Sequence, residues 1–304
     1  MRINAIVAAV AVAAGGIAAT ATPASASGGD SGGTVLAASL RGANEVPVDG
    51  GPAVGDKDGA ALQFVKVQGD KVSVAVKWRG TGKPTALHLH QGAMGTNGGI
   101  KVDFTDLLDS NRKGRTVTGT VKVGDAALLD ALTTDPGSFY VNLHTAEFPG
   151  GAVRGRLHKV TVAAFDFRDA LHNFQASVLK GKQIYECKPA EGGGYAFAQR
   201  DVSAVLAGGI AHSFVQPNSG TPQWIAPDRS AVTGAVLSRT PNGNGNIPEL
   251  DLKATRSGKH HGLLADATEI LRLNTVGGVA PAGTCTPGTI VGVPYQADYV
   301  FLRG

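Results

Sequence analysis

The chain has 304 residues, 43 of them glycine, and carries 28 Lys and Arg against 24 Asp and Glu. That near balance leaves no basic stripe in either half, which argues against a nucleic-acid partner or an anionic membrane surface. Glycines and prolines punctuate short Val-, Leu- and Thr-rich runs and no long segment keeps a helical period, so the fold class expected is all-β, as two domains in tandem.

In chain order, Met1-Arg2-Ile3-Asn4 leads into a small-apolar run ending near Ala21, then an A-x-A site at Ala24-Ser25-Ala26. This order predicts a secretory signal peptide over 1–26, cleaved near Ala26, and so a secreted, extracellular protein. No later stretch approaches the ~18 apolar residues that span a bilayer, so no transmembrane segment is expected in the mature chain. Residues 27–33 are rich in Ser and Gly and read as a flexible linker.

A first β domain is expected over 34–160. Strands are predicted at 35–40, 59–67 and 71–78, the last with Val72, Val74, Val76 and Trp78 on one face. Gly69-Asp70 supplies a hairpin turn between the second and third. One short helix is expected near Asp125–Leu132, capped by Asp125 and ended before Pro136. Residues 161–175 read as a connector whose Phe165, Phe167 and Phe174 are available to pack between domains. A second β-rich domain is expected over 176–304, with strands at 183–188, 195–198, 231–238, 249–254, 267–273 and 297–302. The run Pro241-Asn242-Gly243-Asn244-Gly245-Asn246 is a long polar turn. Cys187 and Cys285 are the chain's two cysteines. In an oxidising compartment a lone pair is expected to form one disulfide; a two-Cys metal site and free thiols are the alternatives.

The most informative segment is Ala86-Leu87-His88-Leu89-His90-Gln91-Gly92. On a strand His88 and His90 face one side and the leucines the other. Tyr140-Val141-Asn142-Leu143-His144-Thr145 repeats the arrangement, with His144 opposite Val141 and Leu143. Three imidazoles on two strands are the minimum for a Zn or Cu site, which makes His88, His90 and His144 the candidate metal ligands. The competing reading is that they hydrogen-bond to backbone or carboxylate groups and hold one end of the domain together.

Several segments in order give the first domain a specific resemblance. They are Leu40-Arg41-Gly42-Ala43-Asn44-Glu45-Val46-Pro47, then Leu87 to Gly92 with Asn97-Gly98-Gly99, then Tyr140 to Thr145, and Pro149-Gly150-Gly151-Ala152-Val153-Arg154-Gly155-Arg156-Leu157. Residues 35–158 resemble a CHRD (chordin-type) domain. The resemblance implies an immunoglobulin-like or superoxide-dismutase-like β-sandwich and no defined activity. Ala152 stands near where the family usually has an acid, so no carboxylate is expected to pair with Arg154 from that position. The H-x-H segment also resembles that of copper–zinc superoxide dismutase. His158, His172 and His212 lack the spacing to complete its two metal sites, so dismutase activity is not expected.

Further segments give the second domain its own resemblance. They are Gln183 to Cys187, His212-Ser213-Phe214, Pro222-Gln223-Trp224, Asp228-Arg229-Ser230, Asn246-Ile247-Pro248, Ile270 to Pro281, Cys285 and Val293 to Tyr299. Residues 182–302 resemble a family of unknown function, numbered 3455, found in exported proteins. Both family cysteines are present, which implies the disulfide. Arg229 stands where that family favours Gly, and Glu249 where it favours Trp. Asp228, Ser230 and His212 could be written as a catalytic set, but no nucleophile elbow or phosphate loop accompanies them. Trp224 with Tyr185 or Tyr195 reads as core before it reads as a stacking platform, and His260-His261 as a solvated loop.

Two functions stay open. One is a non-enzymatic exported binding or extracellular-matrix module, for an extracellular ligand or protein that the sequence does not identify. The other is a Zn- or Cu-binding protein, redox or hydrolytic, centred on the three histidines. No catalytic residues are assigned.

Overall fold

The computed structural model describes residues 32–110, 112–162 and 165–304. The expected signal peptide and most of the 27–33 linker lie outside the described residues. Two β assemblies follow one another along the chain. The first is a ten-stranded sheet of β1 (Thr34–Arg41), β2 (Ala60–Gln68), β3 (Lys71–Arg79), β4 (Pro84–Gln91), β5 (Ile100–Asp103), β6 (Arg112–Lys113), β7 (Thr116–Lys122), β8 (Phe139–Thr145), β9 (Val153–Arg156) and β10 (His158–Lys159). Its order is β5-β4-β8-β9-β1-β2-β3-β7-β6, with β10 also on β1.

The alternation in β3 does what its pattern predicts: Val72, Val74 and Val76 are fully buried, and Trp78 nearly so. They share one core with Leu87 and Leu89 of β4 and Val141 and Leu143 of β8. Strands distant in the sheet order thus meet through a common core, so the sheet curls over on itself. Helix α1 (Thr105–Ser110) follows β5. Helix α2 (Ala126–Thr134) is capped by Asp125, whose Oδ1 accepts from Leu128 N at 3.0 Å, and adds Leu128 and Leu132 to the core.

The second assembly is a closed barrel of β11 (Phe174–Pro189), β12 (Tyr195–Leu206), β13 (Ile210–Phe214), β14 (Pro222–Ile225), β15 (Ala231–Thr240), β16 (Glu249–Arg256), β17 (Ala267–Gly277) and β18 (Ile290–Arg303). Each strand pairs with the next, and β18 returns to β11. The six expected strands are present and longer than expected. β13 and β14, unexpected from sequence, are short, and β14 opens on Pro222, so neither shows enough alternation to read. Cys187 on β11 is disulfide-bonded to Cys285 in the β17–β18 loop. Among the described residues no helix is long and apolar enough to cross a membrane.

The turn between β14 and β15 holds a non-glycine residue in a left-handed conformation. Arg229 there has φ 69°, the left-handed region that costs an L-residue roughly 1–2 kcal/mol. Arg229→Gly is expected to raise stability by about 0.5–1 kcal/mol, after the larger unfolded-state entropy of glycine is subtracted. Urea denaturation checks this, and a loss of stability would contradict it.

Part of the outer face of β1–β3 is covered. Ala37, Leu62, Phe64 and Ala75 form one apolar cluster with Leu271 and Leu273 of β17 and Val300 and Leu302 of β18. Phe165 and Phe167 of the connector pack against it, and Phe165 meets Phe64 with ring centroids 5.3 Å apart. Phe174 departs from its expected place between the domains. It begins β11 opposite Phe301, stacks on it at 5.0 Å and packs on the barrel core.

Polar groups are buried at this junction too. Both carboxylate oxygens of Glu269 accept from Thr161 N (3.0 and 3.1 Å), and Thr161 Oγ1 donates to Asp251 Oδ2 at 2.9 Å. Burial, with Asp251 nearby, pushes the Glu269 carboxyl up to about 7. In the barrel, burial pushes His212 down to about 3. The two groups act at opposite ends of the pH scale. Protonated Glu269 favours the fold below its unfolded value near 4.5, an advantage lost as pH rises through about 7. Neutral His212 favours the fold above 6.5, an advantage lost as pH falls toward about 3. Each contributes on the order of 3–5 kcal/mol. The melting temperature should therefore be highest between about pH 4.5 and 6.5 and fall on both sides. Calorimetry across pH checks this, and a melting temperature that climbs from pH ~6.5 to ~8 would contradict it.

Candidate metal centre

β4 and β8 are antiparallel neighbours with His88 opposite Asn142, His90 opposite Tyr140 and Ala86 opposite His144. Leu87, Leu89, Val141 and Leu143, all fully buried, fill the core side. A one-residue slip would exchange the two faces, so the leucines fix where the histidines point. The other face gathers His88, His90 and His144, one ligand atom of each lying within 4.8 Å of the others. His88 Nδ1 and His144 Nε2 are 3.2 Å apart.

Each ring is held from behind. His90 Nδ1 lies 3.0 Å from the Gly98 carbonyl, and His144 Nδ1 lies 2.9 Å from the Pro149 carbonyl. A carbonyl only accepts, so both Nδ1 atoms carry the proton and both Nε2 atoms keep a lone pair. His90 Nε2 is buried without a partner. His88 Nε2 faces Thr105 Oγ1 at 3.4 Å and Asp103 Oδ1 at 3.6 Å. Two lone pairs do not face one another at 3.2 Å, so His88 Nδ1–H donates to His144 Nε2. An ion would take that position, with the His88 proton moving to Nε2, toward Asp103.

Burial holds all three imidazoles below the usual histidine range, His90 at about 4. They are neutral at physiological pH, the form that ligates a metal. Tetrahedral Zn at ~2.05 Å from each nitrogen needs N···N separations of about 3.3 Å. One edge of the triangle already fits, and the others need to close by no more than about 1.5 Å, within reach of small χ changes. Three protein nitrogens leave a fourth position open to water or an exogenous ligand.

The surrounding layer contains residues to which the sequence assigned no role. His90 stacks on Tyr140, with centroids 4.8 Å apart and planes 1° from parallel, and the Arg154 guanidinium lies 3.4 Å from the Tyr140 centroid. Arg154 also donates to Asn97 Oδ1 (2.9 Å) and the Thr96 carbonyl (2.6 Å). A carboxylate does stand near Arg154, and it is Glu45, from the segment before β2. Asn142 Nδ2 donates to Glu45 Oε2 at 2.9 Å. Burial outweighs both Arg154 and Asn142 and pushes Glu45 up to about 8. Gly151, with φ 139°, makes the slot: a Cβ there would lie 2.6 Å from either Glu45 oxygen. Glu45 sits in a quoted motif, but only the β9–β1 pairing brings that motif to β8.

The other expected constellations separate. Ser230 Oγ donates to Asp228 Oδ1 at 2.6 Å within one turn, while His212 Nδ1 bonds to the Gln223 carbonyl inside the barrel. No hydrogen bond joins His212 to either among the described residues. Trp224 and Tyr185 are buried, Tyr195 is exposed, and His260 and His261 are exposed.

The family model described as CHRD domain matches residues 36–157. A second, described as protein of unknown function (DUF3455), matches residues 203–303. The second match begins within β12, so Gln183 to Cys187, on β11, precede it. No curated protein and no solved structure matches the chain.

Proposed function

From a chain that joins a CHRD domain to a DUF3455 domain, we propose an exported binding module whose CHRD domain holds one Zn or Cu ion through His88, His90 and His144. The observation that carries this reading is the orientation of the three rings. Two are held through Nδ1 by backbone carbonyls, the third is backed by Asp103 and Thr105, and their remaining nitrogens face one another. Metal-ligating histidines carry this kind of outer partner, which fixes tautomer and ring angle. The disulfide is compatible with an extracellular setting. An open fourth position would let the ion present itself to an outside ligand, which suits a binding module and needs no catalytic residues.

Isothermal titration of tag-free, metal-stripped protein with Zn²⁺ and with Cu²⁺ tests the proposal. One site per chain is expected. His90→Ala should weaken binding by at least ~100-fold, since outer-layer changes alone cost 10–100-fold. No saturable uptake, or equal uptake by a folded His90→Ala variant, would mean that the cluster is a hydrogen-bonded support for the strands.

A further inference from the structure

The barrel contains a cavity of about 80 Å³, room for roughly two or three waters at ~30 Å³ each. Its wall differs from an ordinary apolar core. β17 sends Leu271 and Leu273 outward to the domain junction and Arg272 inward, where it lines the cavity with His212, Trp224 and Tyr299. His212 stacks on Trp224 at 4.4 Å, and Tyr299 stands edge-on to both rings. The Arg272 guanidinium donates to the Pro248 carbonyl at 2.7 and 3.2 Å. No lining side chain is acidic. Among the described residues no carboxylate lies within ion-pair distance of Arg272.

The wall is also rich in donors that lack acceptors. Trp224 Nε1 and Gln183 Nε2 are buried without a partner. Gln199 Nε2 donates to Gln183 Oε1 at 2.6 Å, which turns the Gln183 amide so that its nitrogen is the free end. His212 is held neutral by burial and adds no charge. A buried unpaired donor costs free energy until an acceptor reaches it, and a half-buried guanidinium favours a carboxylate. The aromatic and aliphatic remainder of the wall suits an apolar body. Eight-stranded barrels have an interior wide enough for one small ligand.

We propose that the barrel binds one small organic carboxylate of roughly three to five non-hydrogen atoms, its carboxylate on Arg272 and its apolar part against Trp224 and Tyr299. This site lies in the second domain and is independent of the histidine cluster.

The chain has two tryptophans, Trp78 and Trp224, so the ¹⁵N spectrum of the full-length protein has two indole N–H resonances, assigned with Trp78→Phe. Acetate and propionate should shift the Trp224 resonance saturably and leave that of Trp78 in place. Acetamide, propionamide and inorganic phosphate should bind at least ~10-fold more weakly, a difference of about 1.4 kcal/mol. Arg272→Met, checked as folded by its dispersed spectrum, should lose the response. Should that variant fail to fold, Gln199→Ala, at an exposed position, leaves Arg272 in place and should weaken propionate several-fold. The proposal is overturned if no carboxylate shifts the Trp224 resonance, if the amides or phosphate bind as tightly, or if folded Arg272→Met or Gln199→Ala binds like the wild type.

Discussion

Asp298→Ala is expected to destabilise the protein by about 3 kcal/mol, at the lower end of the ~3–5 kcal/mol range for removing one member of a buried ion pair. Asp298, 2 % exposed, lies on β18 where the barrel meets β1. Arg41 pairs with both of its oxygens, the Nε contact at 2.9 Å. Ser39 Oγ donates to Oδ2 at 2.9 Å, and Asn274 Nδ2 to the same oxygen at 2.8 Å. Removing the carboxylate strands three donors, two of them reaching across from β1. The lower end applies because the Arg41 side chain is 31 % exposed and water can solvate part of its charge. Asn274 still donates to the Ser39 carbonyl and still accepts from Asn44 Nδ2, and the apolar cluster beside it is untouched, so the junction should weaken without separating. Asp298→Asn, which retains one acceptor oxygen, should cost less. Urea denaturation is the measurement, and a loss below ~1 kcal/mol for Asp298→Ala would show that the network is solvated.

The second large effect belongs to the disulfide. Cys187 and Cys285 are 98 positions apart, and closing a loop of that length in the unfolded chain is worth about 4–5 kcal/mol on the loop-entropy model. The bond also fastens the β17–β18 loop to β11. There Cys187 N donates to the Thr289 carbonyl at 2.8 Å and Gly288 N to the Cys187 carbonyl at 3.0 Å. A Cys187→Ser, Cys285→Ser double variant should therefore lose ~4 kcal/mol by urea denaturation while its barrel strands still form. A change under ~1 kcal/mol would mean that the unfolded chain is already constrained without the bond.

Where a segment has one buried face, its fold was legible. β3 reads directly from period two, and the same rule placed the three histidines on one face of β4 and β8, because Leu87, Leu89, Val141 and Leu143 leave them no other direction. Where both faces are buried the rule gave less. β2 is buried at nearly every position, because Leu62 and Phe64 meet the barrel while Ala61 and Val65 meet the sheet's own core. β17 inverts ordinary expectation: its leucines face outward under the first domain, and Arg272 faces in. Nothing local in Ile270-Leu271-Arg272-Leu273 announces this, since it depends on a surface supplied by β1–β3, far earlier in the chain. The outer partners of the histidines were hidden for a related reason. Gly98 and Pro149 act through loop carbonyls, which side-chain pattern does not encode, and Asp103 reaches His88 only through the pairing of β5 with β4. Glu45 and Asn142 meet only because β9 bridges β1 and β8.

If His88, His90 and His144 form one metal site, the protein has a definite metal content. Tag-free protein dialysed against trace Zn²⁺ and Cu²⁺ should carry about one ion per chain, as three convergent imidazoles predict. The His88→Ala and His144→Ala variants, with melting temperatures near that of the wild type, should carry none. Wild-type protein without stoichiometric metal, or folded variants that retain it, would contradict the account.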